Sequence, residues 1–246
     1  MLKPIFKLKS SSWLDRINSL NFSLRSLVAR EPSLWILYQP YIWWRKNKRA
    51  TLGKVTTVSE TFVHNHTELV IDGFQGSANG FAVAGFKQHQ SKYVQLAHHM
   101  HSPAEIIKAI DQKTPVILLI REPVGAVISL TSRWSYISVG RGLESYIKFY
   151  TKLSAYQDGY VVSTFEQTTQ HLDRIVDLVN QKFNTNFDPI DISQAKSTHT
   201  PKDLAKNTRS QIKQQKKQEL NLPENIKLLD RANQIYARYQ AIANNQ

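Results

Sequence analysis

Three short stretches of this sequence carry residue types that can hold an anion and move a proton. In the first, Glu68 to Phe86, the apolar run Leu69-Val70-Ile71 has strand length, and Gly73, Gly76 and Gly80 break it before Phe81 to Phe86 resumes a helical pattern. Strand, tight turn and helix in that order aim backbone N–H groups and the positive end of a helix at one point, which suits a phosphate. An ordinary glycine-rich βα loop has the same outline. The GxxxxGK loop of ATPases and GTPases does not fit, because Phe81 follows Gly80. A dinucleotide GxGxxG does not fit either, with glycines at 73, 76 and 80.

The second stretch is His98-His99-Met100-His101-Ser102-Pro103. It follows a candidate strand, Tyr93 to Ala97, and precedes a helix starting near Ser102, where Glu105 is spaced to close a capping box. An imidazole with its ordinary pKa near ~6.5 can take a proton from a hydroxyl around neutral pH. Three histidines in four residues also raise the question of a metal, but no cysteine or HExxH pattern accompanies them. A structural or solvent-facing cluster is the plainer alternative. The third stretch, PVILLIREPVGAVISL, runs from a strand at Val116 to Ile120 into Arg121, Glu122 and Pro123, with Ser129 eight residues after the arginine. A guanidinium grips phosphate oxygens in pairs, and a hydroxyl two turns into a helix adds a neutral donor. A charged strand end followed by a core helix would look the same.

In their order and spacing these stretches resemble the sulfotransferases that use PAPS (3'-phosphoadenosine-5'-phosphosulfate, giving PAP as product). Gln75-Gly76-Ser77-Ala78-Asn79-Gly80-Phe81 is similar to the family's 5'-phosphosulfate loop, Arg121-Glu122-Pro123 with Ser129 to its 3'-phosphate motif, and Phe165-Glu166 after Val161 to Thr164 to its strand-end Tyr-Glu. The resemblance implies that Gly76, Ser77, Ala78, Asn79, Gly80 and Phe81 bind the phosphosulfate end and the adenine, and that Arg121 and Ser129 hold the 3'-phosphate. It implies His101 as general base, with His99 its competitor, and no metal. It further places Phe165 and Arg209 at the nucleotide. The implied activity is sulfuryl transfer from PAPS to a hydroxyl or amine acceptor, a glycan or lipid among the candidates. The alternative is a PAPS- or PAP-binding protein of the same fold with little turnover.

The pattern breaks in two places. The family carries Lys or Arg where this chain has Gly76, which leaves Lys87 or a C-terminal basic residue to supply the cation. Its late R-K-G segment has only Lys202, Lys206 and Arg209 in the corresponding region.

The elements that must position these residues are four strands, expected at 68–74, 92–97, 115–121 and 159–164. The expected fold is a single three-layer α/β domain with a mainly parallel sheet, like that of P-loop NTPases and the sulfotransferases, and ligands in such sheets collect at the strand C-termini. Helices are expected at 142–156, 167–183, 207–220 and 223–243. Tyr146, Phe149, Tyr150 and Leu153 form an aromatic stripe, which in the resembling family lies near the acceptor and in general is core. Residues 1–50 read as a helical segment packed on the domain formed by 51–246. Ser10 to Ser12 are spaced to cap its first helix, Pro40 interrupts an aromatic stretch from Leu34 to Trp44, and Lys54 to Phe62 reads as a linker or edge strand.

The chain's 246 residues give one substantial core, and its zero cysteines exclude a disulfide framework and a thiol nucleophile. A net charge of +13 calls for anionic partners: PAPS fits, and net charge alone would suit a nucleic acid as well, although no specific one is expected. The first residues lack the apolar core of a secretion signal, and no run is long enough to span a bilayer, so a cytoplasmic location is expected. Aromatics beside Arg45, Lys46, Lys48 and Arg49 would allow peripheral contact with the inner membrane. A helix packed on the sheet with a solvated basic end is the simpler expectation, as is a solvated face for Lys213 to Lys217.

Overall fold

The computed structural model describes residues 13–51, 60–191 and 203–246. In chain order its elements are α1 (Trp13–Val28), α2 (Pro32–Thr51), β1 (Leu69–Gly73), α3 (Asn79–His89), β2 (Leu96–His98), α4 (Pro103–Asp111), β3 (Val116–Ile120), α5 (Pro123–Arg133), α6 (Val139–Leu153), β4 (Val161–Thr164), α7 (Phe165–Gln170), α8 (Leu172–Phe183), α9 (Asp203–Leu220) and α10 (Pro223–Asn245). The strands pair in the order β2-β1-β3-β4, all parallel, with Gly73 opposite Leu119 and Ile120 opposite Thr164. Every residue of β1, β3 and β4 is buried. That is why these strands appear in the sequence as unbroken apolar runs: a parallel sheet covered on both faces has no wet side to alternate with.

Successive residues serve opposite layers. Val70, Leu118, Ile120 and Val162 pack with α4, α5, α6 and α10. Leu69, Ile71, Ile117, Leu119 and Val161 pack with α3 and α8. The result is the expected three-layer arrangement. Burial of each large aliphatic side chain contributes about 1.5–3 kcal/mol, so this double-sided core is the main force fixing the strand ends.

Several local expectations change. α2 continues through Pro40 instead of stopping there. The helix expected from Gln167 starts earlier, because Thr164 and Gln167 form a reciprocal capping box (3.2 and 3.0 Å) at Phe165, and it breaks at His171, whose φ of −142° is not helical. Ser102 caps α4, but Glu105 does not reach back to it: its carboxylate instead accepts from Trp35 Nε1 (2.5 Å), the Val63 N–H (2.7 Å) and Gln39. α2 therefore docks on α4, with Trp35 and Ile42 against Met100 and Ala104, and not on the sheet. Lys216 is buried against Glu219 (3.0 Å) where a solvated face was expected. Residues 60–62 form a turn and bend; Ser10 to Ser12 and 54–59 lie outside the described residues.

Candidate functional site

The loop after β1 is built by backbone geometry more than by side chains. Gly76 at φ +90° and Ala78 at φ +66° turn the chain back on itself, and α3 begins without a side-chain cap. Its first-turn amides are thus left for another acceptor. Ser77 is fully buried, and its Oγ has no hydrogen bond of ordinary geometry although it lies beside the Tyr150 hydroxyl. Asn79 donates through Nδ2 to the Phe74 carbonyl (3.2 Å) and leaves its own buried Oδ1 unpartnered. Gly80 is exposed at the rim, and Phe81 is half-buried in the first turn of α3.

Gly76 also explains why no lysine stands there. A Cβ on this residue would lie 2.9 Å from Ser129 Cβ, and the positive φ disfavours any side chain. The same proximity brings Ser129 of α5 to the loop. Arg121 closes the group, donating from Nη1 to the Gly76 carbonyl (3.3 Å) and lying 4.1 Å over the Phe165 ring. Its Nε faces the half-exposed Glu122 carboxylate at 3.2 Å, a surface pair of small worth. Loop, Arg121, Ser129 and Phe165 therefore form one contiguous patch at the strand C-termini. Arg209 bonds Ser132 (3.4 Å) on the next turn of α5, at the edge of the patch. Lys202 lies outside the described residues.

The histidine segment is anchored by a residue that sequence reasoning passed over. Asp72, fully buried at the end of β1, accepts the N–H of Gly73 (2.8 Å) on Oδ1 and those of Met100 (3.0 Å) and His101 (2.8 Å) on Oδ2. His101 stands at φ +52°, and its Nδ1 lies 2.7 Å from the Gly73 carbonyl and 3.2 Å from Asp72 Oδ1. A carbonyl can only accept, so Nδ1 carries the proton and Nε2 is the basic nitrogen. Burial alone would raise the Asp72 carboxyl, but His101 beside it and the Gly73 N–H hold it below the usual carboxylate range. An acidic residue inside an apolar strand was the available signal for this role.

His99 also has positive φ (+59°), and its Nδ1 lies 2.8 Å from His98 Nδ1. The residue as a whole is exposed, but desolvation of its imidazole in this turn, then His98 and His101 adjoining, push it down to about 4. Its Nε2 would be 3.9 Å from a Cβ on Gly80, so both histidines border the loop. Lys87 does not: it is paired with the buried Glu60, which also lies 3.4 Å from His98 Nε2. Lys46 of α2 is the cation nearer the histidines, with Nζ 3.2 Å from Met100 Sδ; burial, then repulsion from Arg25, lowers it to about 8. Among the described residues no group of three or more His, Asp and Glu is arranged around a common metal position.

A cavity of about 340 Å³ opens beside His101 and Gln75, roofed by α1 and α2 and floored by α6. Arg25, Arg30, Arg45 and Lys148 line it, and none of the lining residues is acidic. Phe149 of the aromatic stripe borders this cavity; Tyr146 and Tyr150 are core, their hydroxyls donating to the carbonyls of Arg121 and Leu119 (2.8 Å each) and so bracing the end of β3. Comparison of the chain with protein-family models, with curated proteins and with solved structures finds no match to any of them.

Proposed function

We propose that this chain transfers a sulfuryl group from PAPS to a hydroxyl or amine on a negatively charged acceptor. The observation that carries the proposal is the bond from Arg121 Nη1 to the Gly76 carbonyl, with Ser129 against the same residue. The glycine loop and the arginine turn, 45 residues apart in sequence, are thereby in contact, which supports the reading that they hold one doubly phosphorylated nucleotide together. The uncapped start of α3, whose first-turn N–H groups have no side-chain acceptor, fits the phosphosulfate end. Arg121 and Ser129 would take the 3'-phosphate, and Phe81 offers a ring for the adenine.

PAPS would supply the activated sulfuryl group. His101 Nε2 would accept the acceptor's proton as its oxygen or nitrogen attacks sulfur, while the bridging S–O bond breaks and its electron pair leaves with PAP. Asp72 positions that imidazole without touching the reacting atoms. The loop amides, Arg121 and the cavity cations supply positive potential in place of the lysine that Gly76 excludes. Arg30 and Lys148 are paired with Glu31 and Glu144 outside the lining, but with Arg25 and Arg45 they keep the cavity basic, which favours an acceptor bearing carboxylate, sulfate or phosphate.

Calorimetry with PAP tests the reading. A charge-assisted bond contributes about 1.5–3 kcal/mol, so Arg121→Ala is expected to weaken PAP by about 10- to 150-fold. Unchanged affinity would overturn the assignment. Tight PAP binding with no labelled-sulfate transfer to any of a panel of anionic acceptors would favour the binding protein over the enzyme, the reading that the lysine-free loop supports.

A further inference from the structure

The two N-terminal helices leave much of their apolar surface outside. α1 fully buries only Ser19 of its sixteen residues; Phe22 and Val28 pack partly inward, and Ser26 to Ser145 (2.9 Å) and Arg141 to Ser19 tie it to α6. Its apolar stripe, Trp13, Ile17, Leu20, Leu24 and Leu27, faces outward. α2 buries Trp35 and Ile42 but turns Ile36 (65% exposed), Leu37 (79%), Tyr41, Trp43 and Trp44 to solvent. Twelve of the fifteen large hydrophobic side chains exposed among the described residues lie between 13 and 44. A patch so concentrated marks an interaction surface.

We propose that the outer face of α1 and α2 seats this protein on an anionic lipid surface, lying among the headgroups and not crossing the bilayer. Trp13, Trp43, Trp44 and Tyr41 are the residue types that settle at a membrane–water interface. Arg16 and Lys48 are exposed on the same two helices, and the chain's net charge of +13 complements acidic headgroups. No helix among the described residues is long and apolar enough to span a membrane. The four-three spacing of the α1 stripe would also suit a coiled coil. A second copy, however, brings the same excess of positive charge against itself, whereas a lipid surface neutralises it. The proposal is independent of the sulfotransferase reading, since it uses neither the loop nor Arg121.

Flotation of the full chain with phosphatidylcholine vesicles, with and without phosphatidylglycerol, tests it, alongside sedimentation equilibrium without lipid. The wild type is expected to float with the phosphatidylglycerol vesicles and to be partly released by added salt. The double variant Ile36→Glu, Leu37→Glu, altered only at exposed positions, is expected to melt like the wild type and to bind at least about tenfold more weakly. Wild type that stays with the buffer, a variant that floats as well as wild type, or a lipid-free dimer that the variant splits would each overturn the proposal, the last assigning the face to a second copy.

Discussion

Replacing Asp72 by asparagine keeps the side chain's shape but turns one acceptor oxygen into a donor. On the Oδ1 side the new amide would face the Gly73 N–H and the His101 Nδ1–H; on the Oδ2 side it would face the N–H groups of Met100 and His101. Either way one or two buried backbone donors lose their acceptor, and the amide's own hydrogens gain none. At about 1–3 kcal/mol for each buried orphan, the cost is about 2–5 kcal/mol, out of the ~5–15 kcal/mol that holds a typical domain together. Equilibrium denaturation in urea at neutral pH, with the slope checked for constancy, measures it.

The pH dependence supplies a second arm. A carboxyl whose folded pKa is depressed contributes stability above its unfolded value near ~3.9, and that contribution is lost as pH falls through the lower folded value. The wild type is therefore expected to lose more stability below pH ~4 than the asparagine variant. A variant within ~0.5 kcal/mol of wild type at neutral pH, or one with an identical acid arm, would refute the idea that this carboxylate clamps the two loops together.

Gly76→Lys, which restores the residue common in the resembling family, is expected to lower both stability and PAP affinity, because its Cβ would meet Ser129 Cβ at 2.9 Å; a melt and calorimetry read both. Glu105→Ala strips the acceptor from Trp35, Gln39 and Val63 and is expected to cost about 3 kcal/mol, with hydrogen exchange in α2 rising first. His101→Ala is expected to reduce sulfate transfer by about 100-fold or more with PAP affinity preserved, while His99→Ala changes transfer only a few-fold, as followed by labelled sulfate.

The sheet was legible because its signal is local: Leu69 to Ile71, Val116 to Ile120 and Val161 to Val162 are apolar on both faces. The convergence of the glycine loop with Arg121 was legible for a related reason, since parallel strands deliver their following loops to one edge. What escaped depends on partners remote in sequence. Asp72 is stable only because the turn holding Met100 and His101, 28 and 29 residues on, supplies donors. Glu105 has the spacing of a capping residue, yet Trp35 and Val63, 70 and 42 residues away, outbid Ser102 for it. Ser77 looks in sequence like a displayed ligand, but tight packing against Tyr150 turns its hydroxyl under the loop. Pro40 reads as a stop, and the burial of Trp35 and Ile42 on either side overrides it.

Eight of the eighteen residues around the cavity belong to the N-terminal helices and the turn between them, whereas Gly76, His101 and Arg121 all follow strands of the sheet. Wall and machinery are thus separable parts of one gene product. Exchanging the first fifty or so positions for another helical pair would recast the shape and charge of the chamber while leaving the nucleotide-facing loops as they are. Retargeting such a molecule is accordingly a problem of grafting a roof, not of redesigning a reaction centre.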